Sequence, residues 1–538
     1  MAKKEFLSFE GLQRFVDNIN ALKANIDSPI FKGEPTSPTP NINDKSTRIA
    51  TTEYVNNMAD KFKLEVSGSA QVIITITPAT VATVILTNRT SGATYQEITN
   101  ESGIATISVS QFGTYNISYK SSGAINSVQT VELITPGEIK YISATYTTSK
   151  TFTAKIDLNN SNPKSSVTYY DDASSMTKGS KAWDSELIFK DIKPCVFKNG
   201  QVVYYLDKED CTLKEGGDPA KLDGTDGDVM VEFPKFAYKI WNEVDKSSNI
   251  NNLCVSVTNN PQYAEENNYK YYAFSKTTYG DRDHFYWGSF KGSIGANDTL
   301  RSIAGVAPAA NRTIGAFKTC AQANGDGYTI TSYFQLIAIQ CLYIIKYGSL
   351  DGQTALGQGI SGRSEDSKAA NYGPLPTGGT TTFSDGRKMY YGSTSNNGSS
   401  SNYEVAKLGH VKFAGIEDFW GNIWEWIDGM TTDANRNIIT KWNYDGDGET
   451  FTTPSGLTSD SNGWVKKVSG TTESGFMGIR YGGSSTTYYC DVGHLDASRV
   501  LMFGGRWASS NACGPFYLNA YATTSYAYGY VGARLMYL

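Results

Sequence analysis

The densest concentration of chemically capable side chains is Asp418-Phe419-Trp420-Gly421-Asn422-Ile423-Trp424-Glu425-Trp426, which sets three Trp and two carboxylates in nine residues. Two carboxylates facing one another across a cleft can cut a glycosidic bond, one as acid and the other as base or nucleophile. Asp418 with Glu425, or Asp281 with Asp283, supplies the residue types, but linear order does not set their separation, and acidic residues usually sit solvated at turns. Asn443-Tyr444-Asp445-Gly446-Asp447-Gly448-Glu449 begins like a calcium loop, with oxygen ligands at alternate positions and glycines for the sharp bend. Its twelfth position is Pro454, where the bidentate Glu belongs. Calcium and a plain Asp-Gly turn are the two readings of that segment. The three histidines, His284, His410 and His494, lack the i, i+4 spacing of a helical zinc site, so surface or core hydrogen bonding is expected of each. The seven cysteines (195, 211, 254, 320, 341, 490 and 513) are odd in number, widely spaced and free of CxxC pairs, which argues against a zinc site or a disulfide framework. No catalytic residue and no metal ligand is assigned from these groups.

Binding chemistry is plainer at the C-terminus. From Phe516 the chain alternates, with Phe516, Leu518, Ala520 and Ala522 on one side and Tyr517, Asn519, Tyr521 and Thr523 on the other, the period of a half-buried strand. A second alternation sets Tyr526, Tyr528 and Tyr530 opposite Ala527, Gly529 and Val531. Tyr gives large contact area and a hydroxyl at low rotamer cost, while Ser and Asn adapt their hydrogen bonds, the composition favoured in antibody paratopes. Such tyrosines can also pack on a neighbouring loop or subunit. Because the alternation already supplies a separate inward set, Tyr517, Asn519, Tyr521, Thr523, Tyr526, Tyr528 and Tyr530 are expected to face outward and bind something.

The elements that position these groups divide the sequence into four. Over residues 1–27, Leu12, Phe15, Ile19, Leu22 and Ile26 follow 3, 4, 3, 4 spacing, with Ser8 as N-cap and Pro29 as stop. So short a seam needs partner chains or a docking surface, and it is read as an attachment and oligomerisation helix, with folding back on its own domain as the alternative. Residues 28–60 are Pro-rich and extended. Residues 61–148 carry short β-branched runs (Val72–Ile76, Thr83–Leu86, Ala105–Val109, Tyr115–Tyr119, Val128–Leu133) at the spacing of an immunoglobulin-like β-sandwich. That sandwich reads as a spacer, with sugar binding as its alternative. Residues 149–538 form one large domain. Its clearest helix is expected at Ser332 to Tyr347, where Phe334, Ile337, Ala338, Cys341, Leu342 and Ile345 make an apolar stripe and Gly348 ends it. The fold class expected is mainly β with minor α, since 35 Tyr and 52 Gly against 19% charged residues describe strands and loops.

Three sets of motifs carry resemblances. Phe31-Lys32-Gly33-Glu34-Pro35-Thr36-Ser37-Pro38-Thr39-Pro40 followed by Asp44 to Val55, with Ile49-Ala50-Thr51-Thr52, resembles a segment that recurs in bacteriophage tail-fibre proteins. Asp418 to Trp426, Gly504-Gly505-Arg506-Trp507 and Gly532-Ala533-Arg534 resemble, in order, the "DxxGNVWEW", "GGSW" and "GFR" motifs of the formylglycine-generating-enzyme group, a branch of the C-type lectin-like fold. The strings Asp191 to Val196 and Gly224 to Lys235 are similar to phage tail proteins with such a domain. The resemblance implies a C-type lectin-like α+β domain over 149–538, with Glu425 and Trp426 structural. Enzymes of that group use a cysteine pair in a tight C-terminal loop or a cysteine-held metal; Cys490 and Cys513 lie far apart, so oxidase activity is not expected. The last segment is also similar to the variable region of diversity-generating retroelement targets. In that likeness Gly505, Trp507, Gly514, Phe516, Leu518, Gly532 and Arg534 are the frame, and Ser509, Asn511, Tyr517, Asn519, Tyr521, Thr523, Tyr526, Tyr528 and Tyr530 are the variable set, which the resemblance implies contacts a receptor.

Together these imply a non-enzymatic phage tail-fibre or receptor-binding protein of the virion, made in the host cytoplasm. Its partners would be a bacterial surface glycan or protein and other tail or baseplate proteins, and by analogy with tail fibres it would be a homotrimer. A surface-polysaccharide depolymerase and a purely structural virion protein are the alternatives. The net charge of −5 and the absence of basic runs interleaved with aromatics exclude an evident nucleic-acid footprint. No stretch approaches the roughly 20 apolar residues needed to span a bilayer, so membrane insertion is not expected.

Overall fold

The computed structural model describes Arg14, Asn56 and residues 68–538, apart from 122, 128–129, 246–249, 277–279, 370–371, 389–408, 443–447 and 458–460. The N-terminal helix, the Pro-rich connector and most of the calcium-like loop therefore lie outside the described residues. The protein is mainly β with minor α. Among the described residues no helix is long and apolar enough to cross a membrane. The chain divides into two compact units, with the main boundary between Tyr146 and Thr147.

In the first unit the strands are β1 (Ala70–Thr77), β2 (Thr83–Asn88), β3 (Thr94–Ile98), β4 (Ile104–Val109), β5 (Gly113–Lys120), β6 (Ala124–Ser127), β7 (Thr130–Leu133) and β8 (Ile139–Thr147). They form two four-stranded sheets, ordered β4-β1-β8-β6 and β3-β2-β5-β7. Strict alternation turns Ala70, Val72, Ile74 and Ile76 of β1 inward, where they share one core with Val84, Leu86, Tyr115 and Ile117 of the other sheet. The two sheets share this core as a β-sandwich. Strand β3 gave no apolar signal because it is an edge strand whose side chains are mostly exposed.

The second unit is built around the helix Tyr333–Tyr347, which follows Ser332 at its N-terminal boundary and is ended by Gly348 in the left-handed conformation (φ 53°). The expected stripe understates its burial, for every residue from Tyr333 to Lys346 is buried. A helix covered all round must satisfy its polar side chains internally. Gln335 Nε2 donates to Ala273 O (2.7 Å), Gln340 Nε2 donates to Pro515 O (2.6 Å), and Lys346 pairs with Asp385 (2.7 Å) and Asp184. The helix shares its core with Phe152, Val255 and Val257 of a four-stranded sheet and with Phe503, Phe516 and Leu518 near the C-terminus.

The C-terminal segment stitches two further sheets. Strand Leu518–Ala522 lies in a nine-stranded sheet, antiparallel to Val500–Phe503 and parallel to Val492–Leu495. Val531–Gly532 runs parallel to the start of strand Trp424–Thr432 in the same sheet. Leu535–Tyr537 then inserts between His284–Gly288 and Tyr328–Ile330 of a six-stranded sheet. The segment between Ala522 and Val531 is thus anchored at both ends by buried strands.

Candidate binding surface

Beneath the surface lies a wholly buried polar frame. Glu425 Oε1 accepts from Lys291 Nζ (2.6 Å) and from Arg534 Nη2 (2.9 Å) and Nε (3.1 Å). Arg534 spends its other donors on the backbone carbonyls of Gly288, Ser289, Glu417 and Asp418. Burial opposes an ionised Glu425, yet Arg534 and Lys291 outweigh it and hold the carboxyl below its ordinary pKa. Asp418 accepts from Asn422 Nδ2 (2.7 Å) and pairs with His410 Nδ1 (2.8 Å). The Asn422 side chain also exchanges hydrogen bonds with the backbone of Leu375, and its backbone carbonyl accepts from Trp507 N, so one residue joins three segments.

Above this frame the C-terminal tyrosines form a continuous aromatic track. Tyr521 lies 5.1 Å from the ring of His494 and 6.5 Å from that of Tyr526. Tyr526 and Tyr528 are 4.4 Å apart, and Tyr528 stacks on Tyr530 at 5.4 Å and 25°. The guanidinium of Arg506 sits 4.6 Å over Tyr530 and 5.7 Å over Trp507, against whose ring edge Tyr372 packs at 5.5 Å. Tyr521 and Tyr528 are each 50% exposed, the most open rings of the track. The edge of Trp426 supports Tyr526 from below (6.2 Å), and Trp426 Nε1 donates to Arg312 O (3.1 Å). Burial pushes the Tyr526 hydroxyl upward in pKa, and its 2.6 Å hydrogen bond with Tyr530 adds to the shift.

The second expected alternation is not a strand. Residues 526–530 form a loop with a turn at its end. Tyr528 O accepts from Asn311 N (2.9 Å), Tyr530 O accepts from Trp424 N (3.1 Å), and Val531 N donates back to Tyr528 O (3.1 Å). These bonds compact the segment. Same-face side chains on a strand stand roughly 6.5–7 Å apart, whereas these rings approach to 4.4 and 5.4 Å.

Tyr517 is a second correction. It was expected outward, yet it is largely buried, packed on Trp424 at 4.6 Å, and burial raises its hydroxyl pKa. The cause is local: Leu518 N donates to Phe516 O (2.9 Å), so the chain makes a tight turn around Tyr517 and the two-residue period starts only at Leu518. Asn519 is half-buried within the strand, and Ser509 Oγ accepts from Arg506 N (3.0 Å), tying it into its own turn. Asn511, Tyr521, Thr523 and Tyr528 are exposed, while Tyr526 and Tyr530 are half-buried. The frame residues Trp507, Phe516, Leu518 and Arg534 are all buried. A Cβ on Gly505 (φ 79°) would lie 2.3 Å from Cys513 Sγ, and one on Gly514 would lie 2.2 Å from Asp491 Oδ1, so both positions require glycine.

Asp496, Tyr372 and Glu365 join the surface without having been singled out, beside His494, of which only surface or core hydrogen bonding was expected, and Arg506. His494 Nε2 lies 3.0 Å from Asp496 Oδ2, and Arg506 pairs with Glu365. Arg506 stands where the resembled "GGSW" has Ser. His494 comes from the strand Val492–Leu495, and Asp496, Tyr372 and Glu365 come from segments outside the quoted motifs.

The groups weighed for catalysis lie elsewhere. Asp418 and Glu425 have no exposed side-chain surface to speak of (0% and 1%), so as a pair they cannot reach a glycan in this conformation. His410, Glu417 and Asp418 bring donor atoms within 4.8 Å of one another, a set chemically suited to a divalent cation. Their oxygens are already engaged, however: Glu417 accepts from Gly378 N (2.7 Å) and Thr380 Oγ1, and Asp418 from His410 and Asn422. The set acts as an internal ion pair. All seven cysteines are free and buried, and burial raises the thiols of Cys490 and Cys513 to about 12. No protein-family model matches the chain, and no curated protein matches it.

Proposed function

We propose that this chain is a bacteriophage tail-fibre or receptor-binding protein that recognises a bacterial surface molecule through the tyrosine track of a C-type lectin-like domain. The observation that carries the reading is the division of the C-terminal segment into a buried frame and a half-exposed aromatic surface. Trp507, Phe516, Leu518 and Arg534 hold the backbone, while Tyr521, Tyr526, Tyr528 and Tyr530 present rings and hydroxyls over it. A rigid base carrying adaptable contact residues is the arrangement used by paratopes, and it would tolerate replacement of the surface set, as the likeness to retroelement-diversified regions implies. The tail-fibre-like connector supports placement in the virion, with attachment to other tail or baseplate proteins and assembly as a homotrimer. A non-enzymatic role is part of this reading: the tyrosine surface offers binding groups, and the Asp418 and Glu425 carboxylates are buried in the frame.

The test is binding of fluorescently labelled protein to a panel of bacterial strains by flow cytometry. Saturable binding to some strains, competed by unlabelled protein, is expected. Uniform adherence to every strain, or to none, contradicts receptor recognition.

A further inference from the structure

Resting on that reading, we infer that the ligand is a surface glycan, with one sugar ring seated on Tyr521 and its hydroxyls held by Asp496 and His494. Tyr521 is half exposed and stands 5.1 Å from the imidazole of His494. That imidazole lies 3.0 Å from Asp496 Oδ2, and the two side chains keep 18% and 24% of their surface. The pairing orients the carboxylate and leaves Asp496 Oδ1 to accept. Backbone bonds fix the site: Asp496 N donates to Ala520 O (3.0 Å), Asp496 O accepts from Thr432 Oγ1 (2.5 Å), and His494 is in register with Asn519.

A pyranose has a face of C–H groups and a rim of hydroxyls. Its weakly positive C–H face suits the negative face of an aromatic ring, and its rim needs acceptors and donors close beside that ring. Tyr521 beside the His494–Asp496 pair supplies both. The rest of the track also favours a hydroxyl-rich ligand over a protein. Tyr526, Tyr528 and Tyr530 lie against one another at 25–32°, which spends their faces internally and leaves edges and hydroxyls outward. Thr523 and Ser525 add a hydroxyl pair 3.0 Å apart. A protein hot spot would instead need a desolvated pocket for an apolar or aromatic anchor. The track is also ordered in advance by its stacking and by the 2.6 Å bond between Tyr526 and Tyr530, so little side-chain entropy is lost when a weakly binding sugar arrives.

The experiment takes a strain that the labelled full-length protein binds and treats its cells either with mild periodate, which cleaves vicinal diols, or with proteinase K. Periodate should abolish binding and proteinase should leave it, and Asp496→Asn should weaken binding at least tenfold while the thermal unfolding midpoint stays within a degree or two. Binding lost to proteinase and kept after periodate overturns the glycan inference and leaves receptor recognition standing. Native affinity in Asp496→Asn overturns the proposed sugar seat. Binding to no strain at all removes the receptor reading and this inference with it.

Discussion

Glu425 gathers three charge-assisted hydrogen bonds on a single oxygen, in a place no solvent reaches. Breaking a buried ion network by neutralising one member costs about 3–5 kcal/mol, because the remaining charges stay buried without compensation. Glu425→Gln should therefore lose about that much in urea unfolding, leaving Lys291 and Arg534 facing one another. His410 gives a pH dependence of definite sign. Burial alone would depress its pKa, but Asp418 and Glu417 outweigh burial and raise it to about 9. A folded-state pKa above the unfolded value of about 6.5 means the contribution is complete below pH ~6.5 and fades as pH rises through about 9. Unfolding free energy should accordingly fall by about 1.4 kcal/mol per pH unit across that window, and His410→Gln should flatten the slope; a slope that survives the substitution would assign it to other groups. The structural role of Glu425 was legible from the motif resemblance, whereas the His410 pair was not. Its partners are close in sequence, but burial and the contribution of Thr380 and Gly378 come from the fold.

The elements were legible wherever one physical rule acted alone. Gly348 ended the long helix as expected because a left-handed residue there has few alternatives to glycine. The first-unit strands β1, β2, β4 and β5 were legible as short β-branched runs, and each has one buried side. Reading failed where backbone hydrogen bonds to remote segments overrode period: at Tyr517, turned inward by its tight turn, and over 526–530, pulled into a loop by Asn311 and Trp424. The turn at Gly505 touches that loop through Arg506, whose guanidinium sits 4.6 Å over Tyr530. Gly505→Ala would force a left-handed alanine and a Cβ 2.3 Å from Cys513 Sγ, costing about 2 kcal/mol or more. The expected result is a lowered midpoint together with weakened binding to a recognised strain. Native stability in that variant would mean the turn relaxes freely and does not brace the tyrosines.

At the scale of the whole molecule, the two compact units have separate cores, so residues 147–538 alone should fold and keep single-site binding. Removing residues 1–60 should turn the expected trimer into a monomer in sedimentation velocity and cut apparent affinity for cells by about 10²–10⁴, the range that multivalency supplies. A full-length monomer, or a trimer that survives the deletion, would relocate or remove the assembly role given to the N-terminus. The central claim is that the tyrosine track binds a bacterial surface. Its most direct test measures adsorption of the native protein and of a variant carrying Tyr521→Ala, Tyr526→Ala and Tyr528→Ala to a strain the native protein recognises. Tyr141→Ala, at a 64% exposed tyrosine of the first unit, serves as the control. The account predicts that the triple variant stays folded and loses binding while Tyr141→Ala keeps it. Undiminished binding by the folded triple variant would contradict it.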